Sequence, residues 1–95
     1  MSDRSPDSLV VLNRRSQQLL IDFLLADLDL AFTFVQTGVI ETGSDEAHAE
    51  AAFDKAATAL ETIKRFLPRV EEPVERERIT DRAAELERLL ADSRA

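Results

Sequence analysis

The densest run of apolar residues, from Leu19 to Val35, predicts a long helix with two apolar seams. The first seam recurs at spacings of three and four residues and consists of Ile21, Leu25, Leu28, Phe32, Val35 and Val39. The second seam consists of Leu20, Phe23, Leu24, Leu30, Ala31 and Phe34. Together the seams cover an arc of roughly 240°, about twice the stripe of an ordinary surface helix. We therefore expect this helix to have neighbours on two sides.

Glycine and proline positions divide the chain into three helices. Gly43 followed by Asp45 is typical of a helix end and a new helix start, whereas Pro68 and Pro73 enclose a second linker. The pattern predicts helix 1 over about 7–41, helix 2 over about 45–67 and helix 3 over about 73–91, with residues 1–5 and 92–95 frayed. We expect an all-α fold, an antiparallel three-helix bundle that forms a single domain over residues 1–95.

Helices 2 and 3 each carry a single apolar face. On helix 2 this face comprises Ala49, Ala52, Phe53, Ala56, Ala59, Leu60, Ile63, Phe66 and Leu67. On helix 3 it is narrower and comprises Ile79, Ala83, Leu86 and Leu90, with Leu89 beside it. The spacing of Ala49, Phe53 and Ala56 is similar to that in the second helix of a tetratricopeptide repeat, over about eight residues. The resemblance implies close packing within a helical hairpin and carries no function.

Charge and composition exclude several classes of function. A net charge of −7 over 95 residues argues against attraction to nucleic acid. The absence of cysteine excludes disulfides and thiolate metal sites. The apolar run is long enough for a membrane span, but its three aspartates would cost about 9 kcal/mol against roughly 6 kcal/mol gained. The polar start MSDRSPDS lacks the apolar region of a signal peptide, so we expect a cytoplasmic protein that binds neither nucleic acid nor membrane.

The width of the apolar arc on helix 1 predicts self-association. A helix in a lone three-helix bundle needs one apolar wedge, and helix 1 has nearly twice that. We therefore expect a homodimer in which the first seam meets its symmetry mate or helix 3 of the second copy. The expected interface residues are Ile21, Leu25, Leu28, Phe32 and Val35.

Asp27 is the candidate for a buried polar residue, because it lies in the middle of the second seam. An unpaired buried carboxylate costs several kcal/mol, so we expect a partner from a lysine, an arginine or His48 on another helix. Its setting stays open between a structural pair within the chain, a subunit interface and contact with a ligand. Asp22 and Asp29, by contrast, lie on the polar strip of the same helix, where a solvated surface is expected.

Few side chains form a pattern with catalytic or metal-binding chemistry. His48 is the only histidine and follows Asp45 by three residues, a step that makes up half of the di-iron bundle signature. Asp45 is better explained as the N-cap of helix 2. The sequence contains no Gly-rich phosphate loop, cysteine nucleophile or locally supported Ser-His-Asp arrangement. We therefore expect no enzyme activity, no cofactor, and no catalytic, cofactor-binding or metal-binding residues.

The surplus of apolar surface on helix 1 favours an interaction protein. Our first hypothesis is a small acidic helical adaptor or regulator that binds a partner helix along an apolar groove, without enzymatic activity. One alternative is a metal-binding or hydrolytic bundle that uses Asp27, Asp45, His48 and Glu50. Another alternative is a carrier whose surplus apolar arc lines a pocket for a hydrophobic ligand.

Overall fold

A computed structural model describes residues 6–95 of the chain, with the backbone alone for residues 6–8. Helix α1 spans Pro6–Glu41, α2 spans Glu46–Phe66 and α3 spans Pro73–Arg94, and a short 3₁₀ turn at Leu67–Arg69 leads from α2 toward α3. The helices pack against one another and no strand occurs over these 90 residues, which confirms the predicted all-α three-helix bundle. Dimerisation stays a prediction.

A four-residue turn separates α1 from α2. Gly43 adopts a φ of +92°, in the left-handed region that glycine enters without strain. Asp45 caps α2, since its Oδ1 accepts a hydrogen bond of 3.0 Å from the backbone N–H of His48. The backbone N–H of Asp45 donates to the carbonyl oxygen of Glu41 at 2.8 Å. α1 therefore continues past Gly38 and ends at Glu41, close to the predicted position.

The last turn of α3 is held by contacts with α2. The sequence predicts fraying from residue 92, but α3 continues to Arg94. The guanidinium of Arg94 lies 3.1 Å from the carboxylate of Glu50 and also contacts the carboxylate of Asp54. Charges on a neighbouring helix thus extend α3 beyond the end that its own apolar pattern indicates. Residues 1–5, also expected to fray, lie outside the described residues.

The core is built from the apolar faces of all three helices. α1 packs most extensively on α2 and less extensively on α3. The buried apolar residues are Ile21, Leu24, Leu28, Ala31 and Val35 of α1, Ala49, Ala52, Phe53, Ala56, Ala59, Leu60 and Ile63 of α2, Ile79, Ala83, Leu86 and Leu90 of α3, and Val70. Phe66, Leu67 and Leu89 are partly buried against this core. The faces predicted for helices 2 and 3 are therefore the faces that point inward.

The connection between α2 and α3 is anchored to α1. The side chain of Val70 is completely buried. The side-chain amide of Gln17 donates to the carbonyl oxygen of Arg69 at 3.0 Å, and its oxygen accepts from the backbone N–H of Glu71 at 2.8 Å. Arg76 Nε donates to the carbonyl oxygen of Val70 at 2.7 Å. These contacts place the connection beside Gln17. The first turns of α1, which precede Gln17, therefore extend past the end of α2.

The molecule is elongated and measures 66 × 23 × 16 Å along its principal axes. The 36 residues of α1 alone span about 54 Å at 1.5 Å per residue. With 21 and 22 residues, α2 and α3 are too short to cover α1 along its whole length. Among the described helices, none combines the length and the apolar character needed to cross a membrane.

Candidate functional site

A row of exposed apolar side chains runs along one face of α1. It consists of Leu9, Leu12, Leu19, Phe23, Ala26 and Leu30, and we call it the outer stripe. With Ser16 included, these positions follow one another at spacings of three and four residues, the pattern of a helix face that meets another helix. Between 48% and 65% of each leucine and of Phe23 is exposed. From the first leucine to the last, the stripe is about 32 Å long.

The outer stripe borders a groove of about 500 Å³ between α1 and α2. Its α1 wall contains Phe23, Asp27, Leu30 and Phe34, and its α2 wall contains Asp54, Lys55, Thr58, Ala59 and Thr62. Phe23 is fixed by an edge-to-face contact with Phe66, whose ring centroid lies 6.3 Å away. The groove is open to solvent. A helix lying on the outer stripe would also contact this groove.

The stripe begins in a segment of α1 that is apolar on every side. Residues 9–12, Leu-Val-Val-Leu, are each between 46% and 58% exposed, and we call them the N-terminal arm. Four consecutive residues of a helix point around its whole circumference, so no single contact face hides all of them. Contiguous exposed apolar patches mark interaction sites. The arm therefore adds a second surface that a partner would cover.

Asp27 lies on the wall of the groove and is half-buried, not fully buried. Burial raises the pKa of its carboxyl group above the usual value. Lys55 lines the same groove, but its Nζ lies 5.6 Å from the ring centroid of Phe34. Among residues 9–95, no cationic side chain comes within ion-pair distance of the Asp27 carboxylate. The expected intrachain partner is thus not found, because this carboxylate keeps enough contact with water to stay unpaired.

The seam predicted to form the dimer interface lies mainly inside the chain. Its buried members are Ile21, Leu28 and Val35, and its partly buried members are Leu25 and Phe32. The reason is that α3 returns along this side of α1, where the guanidinium carbon of Arg82 lies 5.4 Å from the ring centroid of Phe32. The expected location is corrected accordingly. The large apolar side chains of α1 that stay exposed are those of the N-terminal arm and the outer stripe, together with Val39 and Ile40 near its C-terminal end.

The turn between α1 and α2 brings together three potential metal ligands. Ligand atoms of Glu41, Asp45 and His48 all lie within 4.8 Å of one another. Glu50, expected in the same group, is paired with α3 instead. Asp27 lies fourteen residues before the end of α1, about 21 Å along the helix, and is not part of the cluster. The four residues considered from the sequence therefore do not form one site.

No member of the outer stripe belongs to the interface predicted from the sequence, and only Phe23 and Leu30 belong to a predicted seam. Leu9, Leu12 and Leu19 lie before or at the start of the densest apolar run, so a search centred on that run passes over them. The signal was nevertheless present, since Leu12 and Leu19 are seven residues apart, as are Phe23 and Leu30. A seven-residue repeat that extends beyond the buried core indicates a surface helix face that needs a partner.

No family model matches the chain, and no curated protein or solved structure matches it either. The stripe, the groove and the cluster at the turn are therefore interpreted from the residues of this chain alone. Of the three, the outer stripe exposes the most large apolar side chains.

Proposed function

We propose that this chain is a non-enzymatic interaction module that binds an amphipathic protein helix along the outer stripe and the adjoining groove. The observation that carries the proposal is the set of five large apolar side chains exposed at helix-pairing spacing on one face of α1. A surface helix of an ordinary domain presents polar residues on such a face. Apolar side chains kept in water at this spacing are best explained by a helical partner.

The charges around the stripe indicate what such a partner looks like. Asp22, Asp27 and Asp29 lie on either side of the stripe in its C-terminal half. Basic residues flanking an apolar face would complement these carboxylates and favour one orientation of the bound helix. Phe23 lies near the middle of the stripe and is held by Phe66, which makes it the natural anchor of the interface.

A photo-crosslinking residue in place of Leu19 tests the proposal in cells that produce the chain. This side chain is 65% exposed, so the replacement leaves the core intact. We expect irradiation to give a defined protein adduct that mass spectrometry maps to a helical segment. The same residue in place of Arg88 is the matched control, since it lies two positions after the buried Leu86 and points away from the core. Adducts of equal yield at both positions would contradict the proposal.

The variant with Leu12→Glu and Leu19→Glu separates binding from folding. Both side chains are more than half exposed, so we expect the thermal unfolding midpoint to stay unchanged or to rise when it is measured at a protein concentration too low for self-association. The adduct from a crosslinker at Phe23 should disappear in this background, because two charges now face the partner. A large loss of stability instead would assign the stripe to the fold of the chain and not to binding.

A second candidate function is binding of a divalent metal ion by Glu41, Asp45 and His48. It is favoured by one observation, the convergence of their ligand atoms within 4.8 Å. Two carboxylates and an imidazole suit transition metals such as Mn²⁺ or Fe²⁺. Thermal unfolding with Mn²⁺, Fe²⁺ and Mg²⁺ tests this, because a metal at about 100 times its dissociation constant stabilises by about 2.7 kcal/mol. A shift lost in His48→Ala supports the site, and no shift with any of the ions removes it.

A further inference from the structure

We propose that the outer stripe is covered by the outer stripe of a second copy of this chain, with the two α1 helices antiparallel and Leu19 opposite Phe23 of the second copy. This inference rests on the proposed function, because it names the partner of the same surface. Three independent features of α1 support it: the sizes of the stripe residues, the order of the charges, and the position of the N-terminal arm.

The sizes of the stripe residues match in this antiparallel register. Leu12 lies seven residues before Leu19, and Leu30 lies seven residues after Phe23. In the antiparallel pair, Leu12 therefore lies opposite Leu30 of the second copy. Three residues from the centre, Ser16 lies opposite Ala26. From Leu12 to Leu30, large side chains therefore face large ones and small side chains face small ones, whereas Leu9 at each end lies opposite Thr33 of the second copy. The two rows can interdigitate along about 27 Å of helix.

The order of charges along α1 selects the antiparallel orientation. Arg15 lies beside the N-terminal half of the stripe, whereas Asp22, Asp27 and Asp29 lie beside its C-terminal half. In an antiparallel pair, Arg15 comes close to Asp29 of the second copy, and the two-fold axis repeats this contact. Asp29 also accepts from the guanidinium of Arg82 in its own chain at 2.8 Å, but it is exposed enough to take a second cationic partner. In a parallel pair, the three aspartates of both copies would stand side by side. Each ion pair between exposed side chains is weak. Whether the facing charges attract or repel nevertheless decides between two orientations with the same apolar contact.

The register also covers the N-terminal arm, residues 9–12. In an antiparallel pair the arm of one copy lies beside the C-terminal half of the second copy's α1, next to the groove with α2. Leu30 and Phe34 belong to the apolar lining of that groove. α2 ends at Phe66, whose ring contacts Phe23, so each α2 flanks only the C-terminal part of its own α1. The two α2 helices therefore lie toward opposite ends of the pair and leave room for both arms.

Single-cysteine variants of the full chain test the orientation, because the chain has no cysteine of its own. Leu12→Cys carrying a mass tag is mixed with untagged Leu30→Cys and oxidised. We expect mixed disulfide dimers in several-fold excess over either self-dimer. A parallel pair would give mainly self-dimers, which overturns the inference. The matched control replaces Leu30→Cys by Val39→Cys, which is also about half exposed but lies off the stripe, and it should give only background mixed dimer.

Light scattering coupled to size exclusion measures the association itself. We expect a mass of twice the 10.6 kDa of the chain at high concentration and a monomer for the variant with Leu12→Glu and Leu19→Glu. Arg15→Glu should raise the dimer dissociation constant about tenfold at low salt, whereas Arg88→Glu, with the same change in net charge, should change it less than twofold. A wild-type monomer up to millimolar concentration overturns the inference. If the crosslinker at Leu19 then captures a different protein, the proposed function still stands. If no defined adduct forms, the proposed function is contradicted as well.

Discussion

The ring of Phe53 on α2 occupies the space where a side chain at Gly38 on α1 would begin. A Cβ at Gly38 would lie 2.5 Å from Cε1 of Phe53 and 2.7 Å from Cδ1 and Cζ, closer than real Cβ contacts allow. We therefore expect Gly38→Ala to destabilise the fold by up to about 2 kcal/mol, since overpacking costs about 1–3 kcal/mol and the gain in helix propensity offsets about 1 kcal/mol of it. Urea unfolding measures the difference.

A double variant identifies the cause of this loss. Phe53→Leu shortens the ring that meets the new methyl group, so Gly38→Ala should cost less in its presence than in the wild type. The sum of the two single losses in unfolding free energy should exceed the loss in the double variant by about 1 kcal/mol. A coupling of this size is expected only for residues in contact. Additive effects would show that Gly38 is required for another reason.

Gln17 joins α1 to the connection between α2 and α3 by two hydrogen bonds. We expect Gln17→Ala to lower the free energy of unfolding by about 1 kcal/mol, because the backbone groups of Arg69 and Glu71 then lose their partner but keep access to water. Gln18→Ala is the matched control: its amide bonds only with Asp22, one turn along the same helix, so its removal should change stability by less than about 0.5 kcal/mol. Equal losses in chemical denaturation would contradict the assigned role.

The three-helix architecture was predictable because its signals are local. Gly43 and Asp45 mark the turn, Pro68 and Pro73 mark the linker, and the apolar faces of helices 2 and 3 follow the helical period without interruption. The anchoring of the linker was not predictable in this way. Val70 has charged neighbours on its C-terminal side and lies between two prolines, and only the return of α3 toward Gln17 explains its burial.

The candidate site was predictable in kind but not in position. The excess of apolar residues on helix 1 indicates that some face stays uncovered, whereas the choice of face depends on where α3 packs. α3 covers the seam that contains Phe32, with Arg82 placed over its ring, and leaves Phe23 and Leu30 exposed. The candidate metal ligands were not predictable in position either. The turn places Glu41 close to His48, and Glu50 is paired with Arg94 of α3.

Arg94 holds the end of α3 on α2 through Glu50, Asp54 and the ring of Phe53, whose centroid is 5.9 Å from the guanidinium carbon. We expect Arg94→Ala to lower stability by about 1 kcal/mol at low salt and by less at 1 M salt, where the screening length falls to about 3 Å. Amide hydrogen exchange should accelerate in the last turn of α3 and stay unchanged near Ile79. Arg88→Ala is the control, and the same exchange pattern in that variant would contradict the role of Arg94.

Asp27 makes the stability of the chain depend on pH in a direction opposite to that of most carboxylates. Burial beside the groove raises the pKa of its carboxyl group above the ordinary value of 3.8, because the ionised form loses hydration without gaining an ion pair. The folded state then binds a proton more readily than the unfolded state does. By linkage, this residue lowers stability as pH rises through the interval from 3.8 to its raised pKa, and the loss is complete at neutral pH.

Asp27→Asn removes this ionisation with little change in shape. We expect the variant to be more stable than the wild type at pH 7, and the difference to shrink as the pH falls through the raised pKa, where Asp27 of the wild type becomes neutral as well. Urea unfolding at one low protein concentration between pH 3 and pH 7 measures the difference without interference from association. Asp22→Asn is the control, because it removes an exposed carboxylate from the polar strip of the same helix. A variant that is less stable than the wild type at pH 7, by an amount that shrinks toward acid pH, would mean that the ionised Asp27 stabilises the fold.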